Sequence, residues 1–243
     1  MIARGRVVVE TDGGGRSRLA CLRSEGPLVL RPTSGSVVHL VGGAGGPLGG
    51  DVLTIEIVVG PGAELTLRTV AAAVVLPGPA PSTVEIDARV GEGGRLWWLP
   101  EPTVAAAGCD HRSRARISVA AGARLVWREE LVGGRHGEVG GSVSSRMSVD
   151  LDGRPLLRHQ LDVGPGYPVW ASPAVAAGAR CAGSVLVVDP TWAGAVRRPA
   201  VLDGCAAVLP LEGPAAQVVA LADDARTLRR LLDGGHEALA GTS

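Results

Sequence analysis

Residues 130–138 concentrate side chains whose types and spacing could do chemistry. The segment reads Glu-Leu-Val-Gly-Gly-Arg-His-Gly-Glu and follows the apolar run Leu125-Val126-Trp127. Because glycine permits backbone turns that other residues resist, the pattern predicts a sharp strand exit that crowds its charged groups together. Such a cluster can serve as an active site, a metal relay, a docking surface or an internal ion pair. As an ion pair, Arg135 would bind Glu130 or Glu138.

A second group of chemically capable residues is the triplet Cys109, Asp110 and His111. Thiolate, carboxylate and imidazole all bind late first-row metals, and His136 could add a further ligand. Consecutive strand residues point to opposite faces, however, so the triplet would need a loop to surround one ion. The sequence offers no second half at ligand spacing. These four residues are therefore weak metal candidates, and no firm metal site is predicted.

Other polar residues stand in distinctive local contexts. The glycine-rich stretch 42–51 lacks the GK[ST] of a phosphate loop and precedes a strand-like segment, so it predicts a tight loop capped by Asp51. Glu101 lies between two prolines, which stiffen the segment and fix its position. Three isolated histidines fit structural or solvated roles: His39, His159 and His236.

Composition excludes several functions. All 24 basic residues are arginine, so a Walker A lysine, a Schiff base and a lysine general base are impossible. The formal net charge is zero, which gives no whole-chain electrostatic case for binding nucleic acid. The serine nucleophile motif G-x-S-x-G is also absent. The sequence therefore does not favour an enzyme.

Cysteine usage and hydropathy predict a reduced, cytoplasmic protein that does not enter a membrane. The 4 cysteines are widely spaced and form no CxxC pair. No apolar run approaches the length of a membrane span, and residues 1–15 lack the apolar core of a signal peptide.

The elements that must position these residues are mainly β-strands. Short runs rich in valine, leucine and isoleucine alternate with glycine, proline and aspartate. The predicted strands are residues 6–10, 28–31, 36–41, 52–59, 64–69, 84–90, 95–99, 115–119, 124–129, 142–151 and 184–188.

An internal repeat supports a stacked β-structure. Three segments share the frame glycine, small, charged, leucine, any, apolar, and their leucines are Leu65, Leu96 and Leu125. The near-30-residue interval predicts stacked hairpins or coils, as in a β-solenoid or a long two-layer β-structure. A β-sandwich remains the alternative, since it also repeats turn and strand.

Helix is predicted mainly near the C-terminus. Residues 223–233 open with acids and place Leu228, Leu231 and Leu232 on one face, before Gly234 and Gly235 end the helix. Residues 171–180 form a weaker helical pattern. We expect one domain over residues 1–243, with a frayed tail at 235–243.

Taken in order, five landmarks resemble the urease accessory protein UreD (UreH) family. They are Pro27-Leu-Val-Leu-Arg-Pro, the glycine stretch 42–51 running into Val-Leu, Gly62-Ala-Glu-Leu-Thr-Leu-Arg-Thr69, Leu96-Trp-Trp-Leu-Pro-Glu101-Pro with Gly122-Ala-Arg-Leu, and the block 130–138. The resemblance covers roughly residues 25 to 160. Each motif is unspecific by itself, and their order carries the resemblance.

The resemblance implies a non-enzymatic maturation factor with an elongated, β-helix-like body and a few helices, mostly toward the C-terminus. Such proteins bind apo-urease subunits and a UreF-like helical accessory protein, and through it a UreG-like nickel-carrying GTPase. No cofactor is bound tightly, and nickel passes in transit. Residues expected along such a passage, or in structural polar roles, are Asp51, Thr69, Glu101, Glu130, Arg135 and Glu138.

Two other functions stay open at this stage. One is a metal-dependent β-helical enzyme that uses Cys109, Asp110, His111 and His136. The other is a purely structural β-solenoid adaptor that binds partners without carrying nickel.

Overall fold

Strands dominate the computed structural model, which describes residues 1–195, 197–203 and 205–240. The strands are β1 (Ile2–Thr11), β2 (Ser17–Ser24), β3 (Leu28–Ser34), β4 (Val37–Gly42), β5 (Val52–Val59), β6 (Glu64–Thr69), β7 (Ala73–Val75), β8 (Ser82–Val90), β9 (Arg95–Leu99), β10 (Thr103–Ala105), β11 (Asp110–Val119), β12 (Arg124–Gly133), β13 (Ser142–Leu151), β14 (Arg154–Val163), β15 (Cys181–Val188), β16 (Ala200–Val201), β17 (Ala206–Pro210) and β18 (Ala215–Ala222). One α-helix, α1 (Ala225–Ala240), and two 3₁₀ turns, Pro168–Ala171 and Pro190–Trp192, complete the elements.

The strands form two sheets that stack face to face. Sheet A has 7 strands in the order β14-β13-β11-β8-β5-β1-β2. Sheet B has 11 strands, nine of them in the order β16-β17-β18-β15-β12-β9-β6-β4-β3, with β10 and β7 attached beyond β12. In both sheets, strands from successive coils pair in parallel: β5 with β8 and β8 with β11 in sheet A, and β6 with β9 and β9 with β12 in sheet B. This is the arrangement of a solenoid.

The predicted repeat is a structural repeat. Leu65 pairs with Leu96, and Leu96 pairs with Leu125, in the parallel register of β6, β9 and β12. The glycine that opens each copy has a positive φ, between 65° and 72°, where a side chain would be strained. The near-30-residue interval is therefore one coil, and the expected solenoid-like, mainly β fold is confirmed.

Alternation along the strands sorts most buried side chains into two large cores, and a third, smaller cluster includes residues of β7, β10 and β12. The first lies between the sheets, where Trp98 and Trp127 stack with ring centroids 5.2 Å apart. The second lies between sheet B and α1, and includes Val126, Val185 and Val218. Neighbouring residues such as Trp97 and Trp98 therefore face different layers, as period-two geometry requires.

Helix α1 covers the outer face of sheet B and extends further than predicted. Its apolar stripe, Leu228, Leu231 and Leu232, is buried as expected. The prediction that Gly234 and Gly235 end the helix is wrong, because the helix continues to Ala240. Gly235 is needed for packing, since a Cβ there would lie 2.4 Å from Cγ1 of Val218. Of the predicted frayed tail, residues 235–240 are helical and residues 241–243 lie outside the described residues.

Two further differences concern the C-terminal third. The helix predicted over residues 171–180 is wrong, because only Pro168–Ala171 forms a 3₁₀ turn and turns follow it. Strands β14, β16, β17 and β18 were not predicted, nor were β2, β7 and β10 earlier in the chain; the alanines of β18 hide its strand pattern. Among the described residues, no helix is long and apolar enough to cross a membrane.

Candidate functional site

Sheet B contains a gap beside the middle of β12. On one side, β12 pairs with β9 up to Trp127 and with β10 only from Leu131 onward. In the described chain, residues 128–130 therefore have no ladder partner on that side, although β15 pairs with them continuously on the other. The segment Pro100-Glu101-Pro102 connects β9 to β10 across this interval. Because proline cannot donate a backbone hydrogen bond, it suits a place where the ladder is interrupted.

Ion pairs fill the outer side of this gap, under α1. We call Glu101, Arg128, Glu130, Arg229 and Asp233 the gap cluster. Nε of Arg229 donates to both carboxylate oxygens of Glu130, at 3.1 and 3.3 Å, and its Nη1 donates to Glu101 at 2.9 Å. Nη1 of Arg128 donates to Glu130 at 3.1 Å, and its Nη2 donates to Asp233. Helix α1 is thereby tied to both edges of the gap.

Burial is strongest at Arg128 and Glu130, the part of this cluster that lies deepest under α1. The Glu130 side chain has no solvent exposure and that of Arg128 has 11%. Burial opposes the charge of Arg229, but the carboxylates of Glu130 and Glu101 outweigh it and raise the pKa of the guanidinium. A buried carboxylate needs such partners, because desolvation is costly.

A cavity of about 520 Å³ adjoins the gap. Its walls include Glu129, which faces the space between the sheets, and also Arg128 and Glu130, which face α1. The cavity therefore reaches both faces of β12 at the gap. Apolar side chains of both sheets form most of the remaining lining, among them Leu53, Ile86 and Trp98.

The inner part of the cavity carries its own polar groups. Glu129 accepts hydrogen bonds from Nε1 of Trp127 and from Oγ of Ser145, both at 3.3 Å. His159 and His111 also line the wall. Burial raises the pKa of Glu129, while the Trp127 hydrogen bond and the nearby His159 oppose that rise. The buried carboxyl group therefore holds its proton more tightly than a solvated one would.

The histidine His111 stays neutral at physiological pH. It is buried, and its Nδ1 lies 2.8 Å from Oγ of Ser82. Burial lowers the pKa of the imidazole to about 4, because the charged form loses its hydration. A neutral imidazole is the form that binds a metal ion.

Comparison with known proteins establishes the family. A family model described as the UreD urease accessory protein matches residues 2–242. The chain belongs to the UreD urease accessory protein family. The urease accessory protein UreD of Parafrankia sp. is 46% identical, with 99% of this chain and 89% of the relative covered. UreD 3 of Streptomyces griseus is 46% identical over 95% of this chain and 94% of its own length. The family resemblance seen in the motifs is therefore confirmed.

Three of the passage residues expected from the UreD family lie together. Thr69, Glu101 and Glu130 all line the cavity. The Thr69 hydroxyl accepts a hydrogen bond from the backbone N–H of Glu101 at 2.8 Å, which holds the interrupted segment beside β6. Their role in nickel passage stays a prediction, but the structure places them at one opening.

The other three lie elsewhere. Asp51 caps its loop as expected, accepting from the Leu48 N–H at 2.9 Å, and it also accepts from the Met1 amino group. Arg135 and Glu138 pair with each other in the loop after β12, with Arg135 Nε 2.9 Å from Glu138. Within the described chain, none of these three lines the cavity. The crowding predicted for residues 130–138 is therefore only local, since Glu130 turns toward α1 and away from the loop.

The weak metal candidates do not meet. Asp110 is exposed, while its neighbours Cys109 and His111 are buried, and His136 is exposed in its loop. Residues 1–195, 197–203 and 205–240 contain no group of three or more histidine, cysteine, aspartate or glutamate side chains that could hold a metal ion. All 4 cysteines are free.

Sequence reasoning missed three residues of this site: Glu129, His159 and Arg229. His159 was interpreted as an isolated histidine, although it faces the cavity. The available signal was alternation, because Trp127 and Glu129 share one face of β12 while Arg128 and Glu130 share the other. Arg229 gives no local signal, since its partners are 99 and 128 residues away in sequence.

Proposed function

We propose that this chain is a non-catalytic urease maturation factor. It binds apo-urease and other accessory proteins, and it helps to pass nickel to the urease active site. Two lines of support meet here: membership of the UreD family, and a polar gap in sheet B that adjoins the cavity. The opening is the observation that carries the nickel part of the proposal.

The chemistry of the opening suits an ion in transit. Carboxylate, imidazole and water bind Ni²⁺ without the permanence of a thiolate cage. Transport requires sites that bind well enough to admit an ion and weakly enough to release it. Glu101 and Glu130 on the outer side, and Glu129 with His159 on the inner side, offer such sites in succession.

Partner binding follows from the same family membership. The proposed partners are apo-urease, a UreF-like helical accessory protein and, through it, a UreG-like nickel-carrying GTPase. In this scheme nickel is the cargo, and the chain contributes the route and the docking surfaces.

The test is urease maturation with matched variants. Urease subunits and the other accessory proteins are co-expressed without this chain, with wild type, with Glu129→Gln or with Glu56→Gln. Glu56 is the control, because it is a partly exposed carboxylate that pairs with Arg6 at 3.1 Å on the outer face of sheet A. The readouts are copurification with urease, nickel per urease active site and urease activity.

We expect omission of the chain to abolish most nickel loading. Glu129→Gln should copurify normally but lower the rate of nickel loading about tenfold, equivalent to ~1.4 kcal/mol of lost cation stabilisation. Glu56→Gln should match wild type. Unchanged urease nickel without the chain would refute the maturation role. Normal loading with Glu129→Gln would refute the cavity route and favour a purely structural adaptor.

A further inference from the structure

The side chain of Arg229 occupies the outer mouth of the gap in sheet B. It reaches from α1 to Glu130 on β12 and to Glu101 on the segment between β9 and β10, so one guanidinium bridges the two edges of the gap. Both carboxylates line the cavity. A cation entering from this side would meet them while they are already occupied by a positive charge.

The charge balance of the gap cluster depends on this one side chain. With Arg229 in place, two guanidinium groups face the three carboxylates of Glu101, Glu130 and Asp233, for a net charge of about −1. When Arg229 swings away, only Arg128 remains and the net charge becomes about −2. A divalent cation would neutralise a net charge of about −2. With Arg229 in place, the net charge of about −1 is too small to balance a divalent cation.

Arg229 can move without unfolding the helix that carries it. Its side chain is 34% exposed, unlike Glu130, which is fully enclosed. The helix is anchored independently, by Leu228 and Leu232 packed against sheet B. Because part of the Arg229 side chain is open to solvent, exchange of the guanidinium for a cation needs only motion of that side chain.

We infer that Arg229 is the gate of the nickel route, an internal cation that closes the gap until a divalent metal ion displaces it from Glu101 and Glu130. This inference rests on the proposed function and adds a control point to it. It also explains why the opening carries arginine at all: an open carboxylate pair would hold metal ions indiscriminately, while a guarded pair accepts one only in exchange.

The test measures Ni²⁺ binding to the purified full-length chain by isothermal titration calorimetry at fixed pH and ionic strength. Arg229→Gln removes the internal cation but keeps a hydrogen-bonding side chain. Arg230→Gln is the matched control, because Arg230 is next in the helix and its ion pair with Asp203 is exposed on both sides. We expect Arg229→Gln to bind Ni²⁺ about tenfold more tightly than wild type, and Arg230→Gln to bind like wild type.

A double variant connects the gain to the carboxylates. Adding Glu101→Gln to Arg229→Gln should return the affinity to within about twofold of wild type, because one of the two ligands is lost. A gain that persists in the double variant would overturn the gate, as would an unchanged affinity in Arg229→Gln.

If the Arg229→Gln variant is insoluble, Arg229→Lys tests the gate in its place. Lysine retains the charge, but its ammonium cannot span two carboxylates as a planar guanidinium does. We expect Arg229→Lys to bind Ni²⁺ about threefold more tightly than wild type, and an unchanged affinity in the soluble variant would overturn the gate. The two proposals fail separately: unchanged urease loading without the chain refutes the maturation role, whereas binding that ignores Arg229 refutes only the gate.

Discussion

Residues 128–138 contain two arginine–glutamate clusters that differ in their access to water. In the loop, Arg135 pairs with Glu138, and the arginine side chain is 56% exposed. In β12, just before that loop, Arg128 pairs with Glu130, whose side chain is fully enclosed under α1. The same two residue types therefore give a surface staple in one place and a buried closure in the other. Burial, and not residue type, separates the two clusters.

The gap cluster should be far more sensitive than the loop pair to removal of its carboxylate. Glu130→Ala leaves Arg128 and Arg229 facing each other without their shared partner. Removing one member of a buried pair costs about 3–5 kcal/mol of unfolding free energy. Urea unfolding measures this loss. Glu138→Ala is the counterpart in the loop, and its midpoint should stay close to wild type because exposed pairs contribute little. Equal losses for the two variants would remove the distinction between the clusters.

A second experiment tests the packing of α1, the helix that encloses the gap cluster. Gly235→Ala places a Cβ 2.4 Å from Val218, so it should push α1 away from sheet B and cost about 1–3 kcal/mol of unfolding free energy. Gly234→Ala is the neighbouring control. Its added Cβ has no atom within 4 Å, and alanine should gain about 0.5–1 kcal/mol in a helix. Thermal unfolding shows whether each substitution raises or lowers the stability of the protein. A Gly235→Ala variant more stable than wild type would show that α1 does not pack against sheet B as described.

Titration provides the most local comparison, between Glu129 in the cavity and Glu138 in the loop. Arg135 holds the pKa of Glu138 down, at about 2, while burial raises the pKa of Glu129. Carboxyl-carbon NMR on selectively labelled protein should show Glu138 titrating near 2, and Arg135→Gln should return it toward 4.5. A Glu138 pKa that ignores Arg135 would mean that the loop pair does not persist in solution.

The two shifts affect stability in opposite directions. For Glu138, the lowered pKa means a contribution that is present above pH 4.5 and lost as pH falls toward 2. For Glu129, the folded state binds its proton more tightly than the unfolded state, so stability falls as pH rises above 4.5. Glu129→Gln should remove that decline from denaturation curves measured between pH 4 and pH 7. A decline that is the same in wild type and variant would assign it to other groups.

The sequence alone predicted the coil repeat because that information is local. Leu65, Leu96 and Leu125 follow matching glycine turns, and stacking such units buries their leucines in register. Alternation along β9 likewise acts locally, and it turns Trp97 and Trp98 toward different layers. Local patterns failed where tertiary packing overrode them, as at Gly235, where close contact with sheet B retains a glycine inside a helix.

The candidate site was only partly accessible from the sequence. The motifs pointed to Thr69, Glu101 and Glu130, and these share one opening in the structure. Asp51, Arg135 and Glu138 were grouped with them by sequence proximity and family resemblance, but they serve other loops. Proximity in sequence could not separate Glu130 from Glu138, because one residue lies within a strand and the other beyond a turn.

What the sequence determined by itself is the repeating strand and turn, since apolar alternation and positive-φ glycines act over a few residues. What only the tertiary structure decided is the opening and its closure. Within the described residues, the gap exists because β9 and β10 leave one side of β12 unpaired between Trp127 and Leu131, while β15 pairs with the other side. Arg229 reaches that gap from a helix about a hundred residues further along the chain, and although the apolar stripe of the helix is a local pattern, the sheet against which it packs is not.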